Sequence, residues 1–319
     1  CDIPVFHDDQ HGTAIVVGAA LLNALKCTGK KIEEAKCVIN GAGSAGIAIA
    51  KLFIQVGVKN VIMCDRFGII CEGDETLSDA HKELAKVTNK EHIKGDLAEA
   101  MKGADVVIGV SAPGIISKEM VASMAPDSIV FPMANPVPEI TYEDAMDSRP
   151  DVLMSTGRSD YPNQINNVIG FPYIFRGALD TAATAINEEM KLAAVHAIAD
   201  LAKKPVPEIV NKVYHVNKLS FGRDYFIPKP VDPRLLTEVS AAVAKAAIDS
   251  GVARKTITDW EAYKEHLLEF MGRESKLTQQ IHDAARTSLQ RIVFAEGTHP
   301  SMMKAAVKAK DEGLCYPIL

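Results

Sequence analysis

Short apolar runs alternate with helical stretches along the first half of the chain, and this alternation limits the fold more than any other feature. Strands are predicted at residues 3–6, 35–40, 60–64, 104–110, 128–133 and 152–155, and helices at 13–26, 45–55, 77–87, 96–101 and 118–124. Strands joined through intervening helices pair in parallel. The sequence therefore predicts an α/β fold, a Rossmann-like doubly wound parallel sheet with flanking helical segments.

The pattern changes after about residue 166. A long Ala-rich helix is predicted at 178–203, followed by an ordered loop dotted with five prolines and by helices at 235–249, 258–271 and 273–291. A new strand at 291–295 and a helix at 300–312 follow. The chain starts and stops in strand-like sequence without an initiator Met, so we expect an internal piece of a longer protein. The predicted segments are 1–7, 8–166, 167–272, 273–290 and 291–319.

Composition excludes several classes of protein. Hydrophobic residues make up 47% of the 319 residues, which is too many for a disordered chain. The net charge of −6 and the lack of a basic block argue against nucleic-acid binding. No run reaches about 18 apolar residues, and no signal peptide is recognisable, so no membrane association is expected. The six scattered cysteines, without a CxxC pair, indicate a reducing compartment, the cytoplasm.

The sharpest local motif is a glycine-rich turn between a predicted strand and a predicted helix. Gly41, Gly43 and Gly46 give G-x-G-x-x-G, with Ala42, Ser44 and Ala45 between them. The first glycine permits a tight turn, the second lets the backbone approach a pyrophosphate, and the third lets helix and strand pack closely. The motif predicts dinucleotide binding at a helix N-terminus; the alternative is a glycine-rich turn without a ligand.

The end of the next strand bears on which dinucleotide binds. Asp65 lies 19 positions after Gly46, near the spacing of the carboxylate that binds a ribose 2′-hydroxyl, which favours NAD. Arg66 is adjacent and could instead hold the 2′-phosphate of NADP. Asp65 favours NAD and Arg66 favours NADP, so the choice between the two cofactors stays open. Asp65 could also be a solvated carboxylate at the end of a strand.

Two adjacent carboxylates, Asp8 and Asp9, precede the first predicted helix. On an extended backbone their side chains would point in opposite directions, so one could bind a cation while the other contacts a catalytic group. Mg²⁺ and Mn²⁺ prefer such oxygen ligands. Capping of the helix N-terminus is the alternative. His7 and His11 offer only a weak zinc signal.

Amide side chains gather in two segments, which follow the predicted strands at 128–133 and 152–155. Asn135 follows a strand at the edge where open α/β sheets bind ligands, and Asn166 and Asn167 follow the next strand. Amides there can hydrogen-bond a carboxylate or a nicotinamide ribose. Ordinary turn chemistry is the alternative for each of them.

Taken together, these segments resemble the malic enzymes. The resemblance is carried by IPVFHDDQHGTA at 3–14, NGAGSAG at 40–46, MANP at 133–136, GRSDYPNQINNVIGFPYIFRGALD at 157–180 and FGRDYFIPKP at 221–230. It covers about residues 2–272. The segment RIVFAEG at 291–297 is similar to the start of a phosphate acetyltransferase-like domain, a combination typical of bacterial two-domain malic enzymes.

The resemblance implies oxidation of malate by NAD or NADP, followed by decarboxylation to pyruvate and CO2, with Mg²⁺ or Mn²⁺ as Lewis acid. Asp9 then matches a metal ligand, and Asp8 the carboxylate that orients a catalytic lysine. Asn135 and Asn167 match amides that contact cofactor or substrate, and Asn166 is their neighbour. Residues 1–7 and 167–272 would belong to the catalytic domain, and 8–166 would be the NAD(P)-binding domain. The family is oligomeric, so a homo-oligomer is expected.

The family's tyrosine acid, lysine base, substrate-binding arginine and Glu-Asp pair of metal ligands would lie before the first residue. We therefore expect the 319-residue chain alone to be nearly inactive. Two rival interpretations remain. A metal-independent Rossmann dehydrogenase would keep its activity in a chelator, and a sensor module would bind a nucleotide or acetyl-CoA without hydride transfer.

Overall fold

The computed structural model describes residues 4–270 and 276–318. The chain divides into two compact units, Cys1–Trp260 and Glu261–Leu319. None of the helices in the described ranges is long and apolar enough to span a bilayer.

A six-stranded sheet forms the centre of the first unit, and it confirms the predicted fold class. The strands are β1 (Lys36–Asn40), β2 (Asn60–Asp65), β3 (Gly68–Ile69), β4 (Val106–Gly109), β5 (Ile129–Pro132) and β6 (Leu153–Met154), in the order β3-β2-β1-β4-β5-β6. All neighbouring pairs are parallel except β2 with β3, which form a tight antiparallel hairpin. The strand order reverses between β1 and β4, and such a switch point is where open α/β sheets bind ligands.

Helices cover both faces of this sheet. Those of the first unit are α1 (Thr13–Thr28), α2 (Ser44–Gln55), α3 (Asp79–Ala85), α4 (Leu97–Met101), α5 (Lys118–Ala122), α6 (Tyr142–Ser148), α7 (Phe171–Asp180), α8 (Glu188–Lys203), α9 (Glu208–Val213) and α10 (Arg234–Asp249). Successive strand residues face opposite sides. Ile39 joins the larger core, beneath α1, α2 and α8, whereas its neighbour Val38 joins the smaller core, beneath α4 and α5.

Several helix boundaries follow from local capping. The side chains of Ser78, Asp96, Ser117 and Thr141 each accept a hydrogen bond from a backbone N–H three residues later. These bonds satisfy donors that a helix leaves free at its first turn, so α3, α4, α5 and α6 begin there. Gly29 ends α1 in the left-handed conformation, with φ of 69°.

Three sequence predictions about elements are wrong. The helix expected at 178–203 is two helices, because Asn187 caps α8 and accepts from the Met190 N–H, while α7 ends at Asp180. Ala-rich sequence favours helix throughout and so did not mark that break. Residues 4–6 form no strand, and Ile3 lies outside the described residues. The proline-dotted segment contains α9, which begins after Pro207.

The second unit holds a parallel pair of strands joined by a helix. After α11 (Trp260–Phe270), which begins at the division, come α12 (Lys276–Thr287), β7 (Gln290–Val293), α13 (Pro300–Asp311) and β8 (Cys315–Ile318). The strand and helix predicted near 291–295 and 300–312 are confirmed. Residues 271 and 273–275 of the helices predicted at 258–271 and 273–291 lie outside the described residues.

The cysteines of the described residues are free thiols, as predicted, and Cys1 lies outside them. Cys37 and Cys64 are fully buried in adjacent strands. Burial raises the pKa of Cys64 to about 12 and raises that of Cys37 as well. These thiols therefore stay protonated and pack as small apolar groups.

Candidate active site

The glycine-rich turn lies at the switch point of the sheet. Gly41 has a φ of +116°, and an added Cβ would stand 2.5 Å from the carbonyl oxygen of Val110, at the end of the neighbouring strand. Its N–H donates to the Cys64 carbonyl at 2.9 Å. A residue with a side chain would meet both a strained backbone and a clash, so the turn requires glycine here.

Gly46 is also required by packing. A Cβ on Gly46 would approach the Gly41 carbonyl oxygen to 1.8 Å, within the first turn of α2. The helix therefore begins directly against the strand from which the chain has come. This is the close helix–strand contact that the third glycine of the motif predicts.

Gly43 differs from both, because the fold does not require a glycine there. Its φ of −78° and ψ of −171° are ordinary extended values, and no atom lies within 4 Å of a Cβ built on it. The space beside it is open, and α2 begins there without any side-chain cap. Free N–H groups and the helix dipole favour an anion at such a terminus. The arrangement fits a pyrophosphate that needs close access to the backbone.

A cavity of about 1160 Å³ opens over this turn. Its wall is formed by the glycine-rich turn, the β2–β3 hairpin, the start of α3 and the segment after β4. The lining includes Asn40, Gly41, Ala42, Gly43, Asp65, Arg66, Ser78, His81 and Ser111. The volume slightly exceeds the range of about 300–1,000 Å³ usual for ligand pockets, so an extended dinucleotide has room.

Asp65 and Arg66 both face this cavity, at the tip of the β2–β3 hairpin. The Asp65 carboxylate accepts the Phe67 N–H at 2.8 Å through Oδ1. The Arg66 guanidinium lies over the Phe67 ring, 4.6 Å from its centroid. A carboxylate, which could accept from a ribose hydroxyl, and a guanidinium, which could bind a phosphate, therefore stand side by side.

Two polar contacts at the cavity were missed by sequence reasoning. His81 Nε2 lies 2.7 Å from the Ala42 carbonyl oxygen and so joins α3 to the glycine-rich turn. Asn40 Nδ2 donates to Ser111 Oγ at 2.8 Å across the switch point. Both link segments 39 or more residues apart, and no local pattern marks them.

Four of the predicted cofactor residues are not among the residues that line the cavity: Ser44, Ala45, Gly46 and Asn135. The first three form the start of α2. Asn135 is exposed after β5, and a Cβ on Gly157 would lie 3.5 Å from its amide atoms. It therefore stands at the β5–β6 side of the same sheet edge, away from Asp65.

The paired aspartates lie in a π-helical turn, Asp8–Gly12, that leads into α1. The extended backbone predicted for them is wrong, although consecutive side chains on a helical turn also diverge. The helix-capping alternative is wrong as well. His7 and Gly12 occupy the cap positions of this turn and of α1, and neither has a side-chain cap bond.

Asn167 meets Asp8 across 159 residues of sequence. Its Nδ2 donates to Asp8 Oδ2 at 3.1 Å, and its amide also pairs with the Thr13 hydroxyl. The second carboxylate oxygen, Asp8 Oδ1, is buried without a hydrogen-bond partner among the described residues. Two of the predicted catalytic residues thus form one cluster, and an acceptor atom in it is unsatisfied.

Asp9 is exposed beside this cluster. In the described ranges, no group of three or more His, Cys, Asp or Glu side chains could hold a metal ion, which leaves the zinc signal of His7 and His11 unsupported. An isolated exposed carboxylate still suits Mg²⁺ or Mn²⁺, which often take only one or two carboxylates and complete their shell with water and substrate.

Asn166 and His11 border the same region. Asn166 Oδ1 accepts the Val168 N–H at 3.0 Å and so caps the short 3₁₀ turn Asn167–Ile169. This is the ordinary turn chemistry that the sequence allowed as the alternative to ligand binding. Burial and the nearby Lys191 ammonium lower the pKa of His11, whose Nδ1 lies 3.4 Å from Lys191 Nζ. This contact joins the Asp8–Gly12 turn to α8.

Comparison with known proteins matches residues 10–222 to the family model "Malic enzyme, NAD binding domain". The NADP-dependent malic enzyme of Haemophilus influenzae is 47% identical over all of this chain, which spans 42% of that protein's length. The match therefore concerns less than half of the relative.

Solved structures of malic enzymes share the fold. The NAD-dependent malic enzyme of Thermotoga maritima is 43% identical, with a TM-score of 0.68, over 76% of this chain and 60% of the other. The malic enzyme of Pyrococcus horikoshii is 40% identical, with a TM-score of 0.74, over 88% and 64% of the two chains. The names of these relatives include both NAD- and NADP-dependent enzymes.

Proposed function

Because the chain belongs to the malic enzyme family, we propose that the protein containing it oxidises malate with NAD(P)⁺ and decarboxylates the product to pyruvate and CO2. The surroundings of Gly43 are the observation that carries this proposal. The fold leaves it free to be any residue, yet it borders open space at the uncapped start of α2. A bound pyrophosphate explains both facts.

The dinucleotide would lie across the switch point. Asp65 or Arg66 would hold the adenosine ribose, the N–H groups of Gly43, Ser44 and Ala45 the pyrophosphate, and Asn135 the nicotinamide side. Gly41, Ala42 and Gly46 would shape the turn. When bound, NAD(P)⁺ supplies the hydride acceptor, which the side chains of this chain cannot provide.

The Asp8–Asn167 cluster would supply the catalytic side. Asp8, with one oxygen held by Asn167 and the other unsatisfied, would accept a hydrogen bond from a cationic side chain and so orient it. Asn166 and Asn167 would face the substrate. Asp9 would give one carboxylate to Mg²⁺ or Mn²⁺, an ion that supplies Lewis-acid polarisation of a substrate oxygen.

The organisation of the whole protein is part of the same proposal. Residues 8–166 would form the NAD(P)-binding domain, 1–7 and 167–272 parts of the catalytic domain, 273–290 a linker and 291–319 the start of a phosphate acetyltransferase-like domain. We place the enzyme in the cytoplasm as a homo-oligomer. Light scattering of the purified full-length protein measures the oligomeric state, and a monomer would contradict that part.

The activity is tested on the full-length protein with malate, NAD⁺ or NADP⁺, and Mn²⁺. We expect equal amounts of reduced cofactor, pyruvate and CO2, abolished by EDTA and restored by Mn²⁺. Asp9→Asn should lower kcat at least about 100-fold, since it removes a metal ligand. Asp79→Asn, at an exposed position, is the matched control.

The rival functions give different results in the same assay. Hydride transfer that persists in EDTA would indicate a metal-independent dehydrogenase. Cofactor binding without any turnover would indicate a sensor module. Either result would contradict the proposal.

A further inference from the structure

Glu139 is a fully buried carboxylate to which the proposed function gives no role. It follows β5 by seven residues and is 0% exposed. Its Oε1 accepts the Ser111 N–H at 2.9 Å, and its Oε2 accepts the Ala134 N–H at 3.0 Å. Burying a carboxylate costs free energy unless its oxygens are hydrogen-bonded, and both oxygens of Glu139 are.

The segments that Glu139 joins are those that follow β4 and β5. Ser111 lines the cavity, and Ala134 precedes Asn135. Backbone bonds reinforce the join, because Ile116 N donates to the Glu139 carbonyl and Gly114 N to the Pro138 carbonyl, each at 3.1 Å. The carboxylate of Glu139 thus bonds a backbone N–H two positions beyond the end of each strand and ties the two segments together.

The end of β4 is shaped to receive this carboxylate. A Cβ on Gly109 would stand 2.4 Å from Glu139 Cδ. The side chain therefore lies directly on the last residue of β4. Through the Ser111 hydroxyl, which accepts from Asn40 Nδ2 at 2.8 Å, the contact continues to the end of β1. Three neighbouring parallel strands are thus linked at the sheet edge that faces the cavity.

We infer that Glu139 is a positioning residue for the nicotinamide half of the dinucleotide site. The adenosine half lies on the β2 side, at Asp65 and Arg66, and the pyrophosphate at Gly43. The remaining half must extend past the switch point toward β4 and β5, where Glu139 holds Ser111 and Asn135 in place. This inference rests on the proposed cofactor site.

The carboxylate is needed for its two acceptor oxygens. A glutamine at 139 has one carbonyl oxygen, and its amide NH₂ would face the second backbone N–H, donor to donor. An aspartate keeps the charge but is one methylene shorter, so it cannot reach both N–H groups at once. Both substitutions should release one of the two segments.

The test measures binding to the full-length protein of the whole cofactors NADH and NADPH, and of ADP and adenosine 2′,5′-bisphosphate, which represent the adenosine half alone. In E139Q we expect the Kd of NADH and NADPH to rise about tenfold, the size expected when a buried bond to a charged acceptor is lost. The Kd of ADP and of adenosine 2′,5′-bisphosphate should change less than about twofold, because the β2 side is untouched. E91Q, which removes an exposed charge from the same unit, should leave all four values unchanged.

The two kinds of failure are distinguishable. If the wild-type protein binds neither whole nor half cofactor, the proposed function fails. If it binds both and E139Q binds the whole cofactor normally, or loses whole and half equally, the positioning role is overturned. Should circular dichroism show E139Q unfolded, E139D carries the test, with the same selective loss expected and an equal or absent loss contradicting it.

Discussion

The glycine-rich turn and the Asp8–Gly12 turn are two junctions at which a helix of the first unit begins, and they are built differently. The glycine-rich turn is recognisable from its own residues, and Gly46 packs against the Gly41 carbonyl within the motif, although Gly41 also meets Val110 at the end of the neighbouring strand. The Asp8–Gly12 turn contacts Asn167, which lies 159 residues away from Asp8. The sequence signal of the proposed cofactor site is thus local, whereas the proposed catalytic cluster brings together residues that are far apart in sequence.

The largest effect on stability is expected at Gly46, and it distinguishes this glycine from Gly43 of the same turn. Gly46→Ala should lower the free energy of unfolding by about 3 kcal/mol, because its Cβ meets backbone. Gly43→Thr should leave it nearly unchanged, since threonine and glycine are similar at an N-cap. Denaturant unfolding measures both.

The effect of Gly43→Thr on cofactor binding should be large although its effect on stability is small. Gly43→Thr should weaken NAD(P)H binding at least about 100-fold by filling the space for the pyrophosphate. A Gly43→Thr protein that is folded and binds normally would show that the open space holds no ligand.

The second prediction concerns the long-range junction. Asn167→Ala removes the partner of Asp8 and should lower kcat about 100-fold, with little change in the Kd of the cofactor. Asn166→Ala, its neighbour, removes a cap, which should cost about 1 kcal/mol of stability, and should lower kcat less than Asn167→Ala because Asn166 does not contact Asp8. Steady-state kinetics and thermal unfolding of the full-length variants check this. Equal losses of kcat would remove the special role of Asn167.

The two junctions also show how far sequence reasoning reached. The glycine-rich turn, Asp65 and the parallel sheet follow local patterns, so they were predicted. The π-helical turn at Asp8 and its contact with Asn167 were not predicted, because no local pattern marks either. The break between α7 and α8 was hidden by the uniformly helical composition of the segment. Glu139 and His81 were missed because their partners, Ser111 and Ala42, lie far away in sequence.

A third prediction tests which residue of the proposed cofactor site selects between NAD⁺ and NADP⁺. Arg66→Ala should raise the KM of NADP⁺ about tenfold and leave that of NAD⁺ within about twofold, because only NADP⁺ carries the 2′-phosphate. Asp65→Ala should raise the KM of NAD⁺ instead, by loss of a bond to the ribose 2′-hydroxyl. If neither substitution changes the ratio of the two KM values, the β2–β3 hairpin does not select the cofactor.

The smallest effect is expected at the opposite edge of the sheet, away from both junctions. The Arg149 guanidinium pairs with Asp151 at 2.8 Å and lowers the pKa of that carboxyl from 3.8 to about 2. A lowered pKa in the folded state stabilises the protein above pH 3.8, and this stabilisation is lost as the pH falls through about 2.

Asp151→Asn should therefore cost about 1 kcal/mol at pH 7, a value reduced for the partial exposure of the pair. The difference from wild type should shrink as the pH is lowered from 4 toward 2, while kcat at pH 7 stays unchanged. Urea unfolding at several pH values measures it, and a difference independent of pH would rule out the ion pair as its source.

The comparison of the two junctions is tested most directly by one fluorescence titration of the full-length protein with NADH and NADPH. The wild-type and Asn167→Ala proteins should bind at least one of the two equally well, and folded Gly43→Thr should bind neither. Normal binding by Gly43→Thr, or loss of binding in a folded Asn167→Ala protein, would contradict a locally encoded cofactor site that is separate from the catalytic cluster.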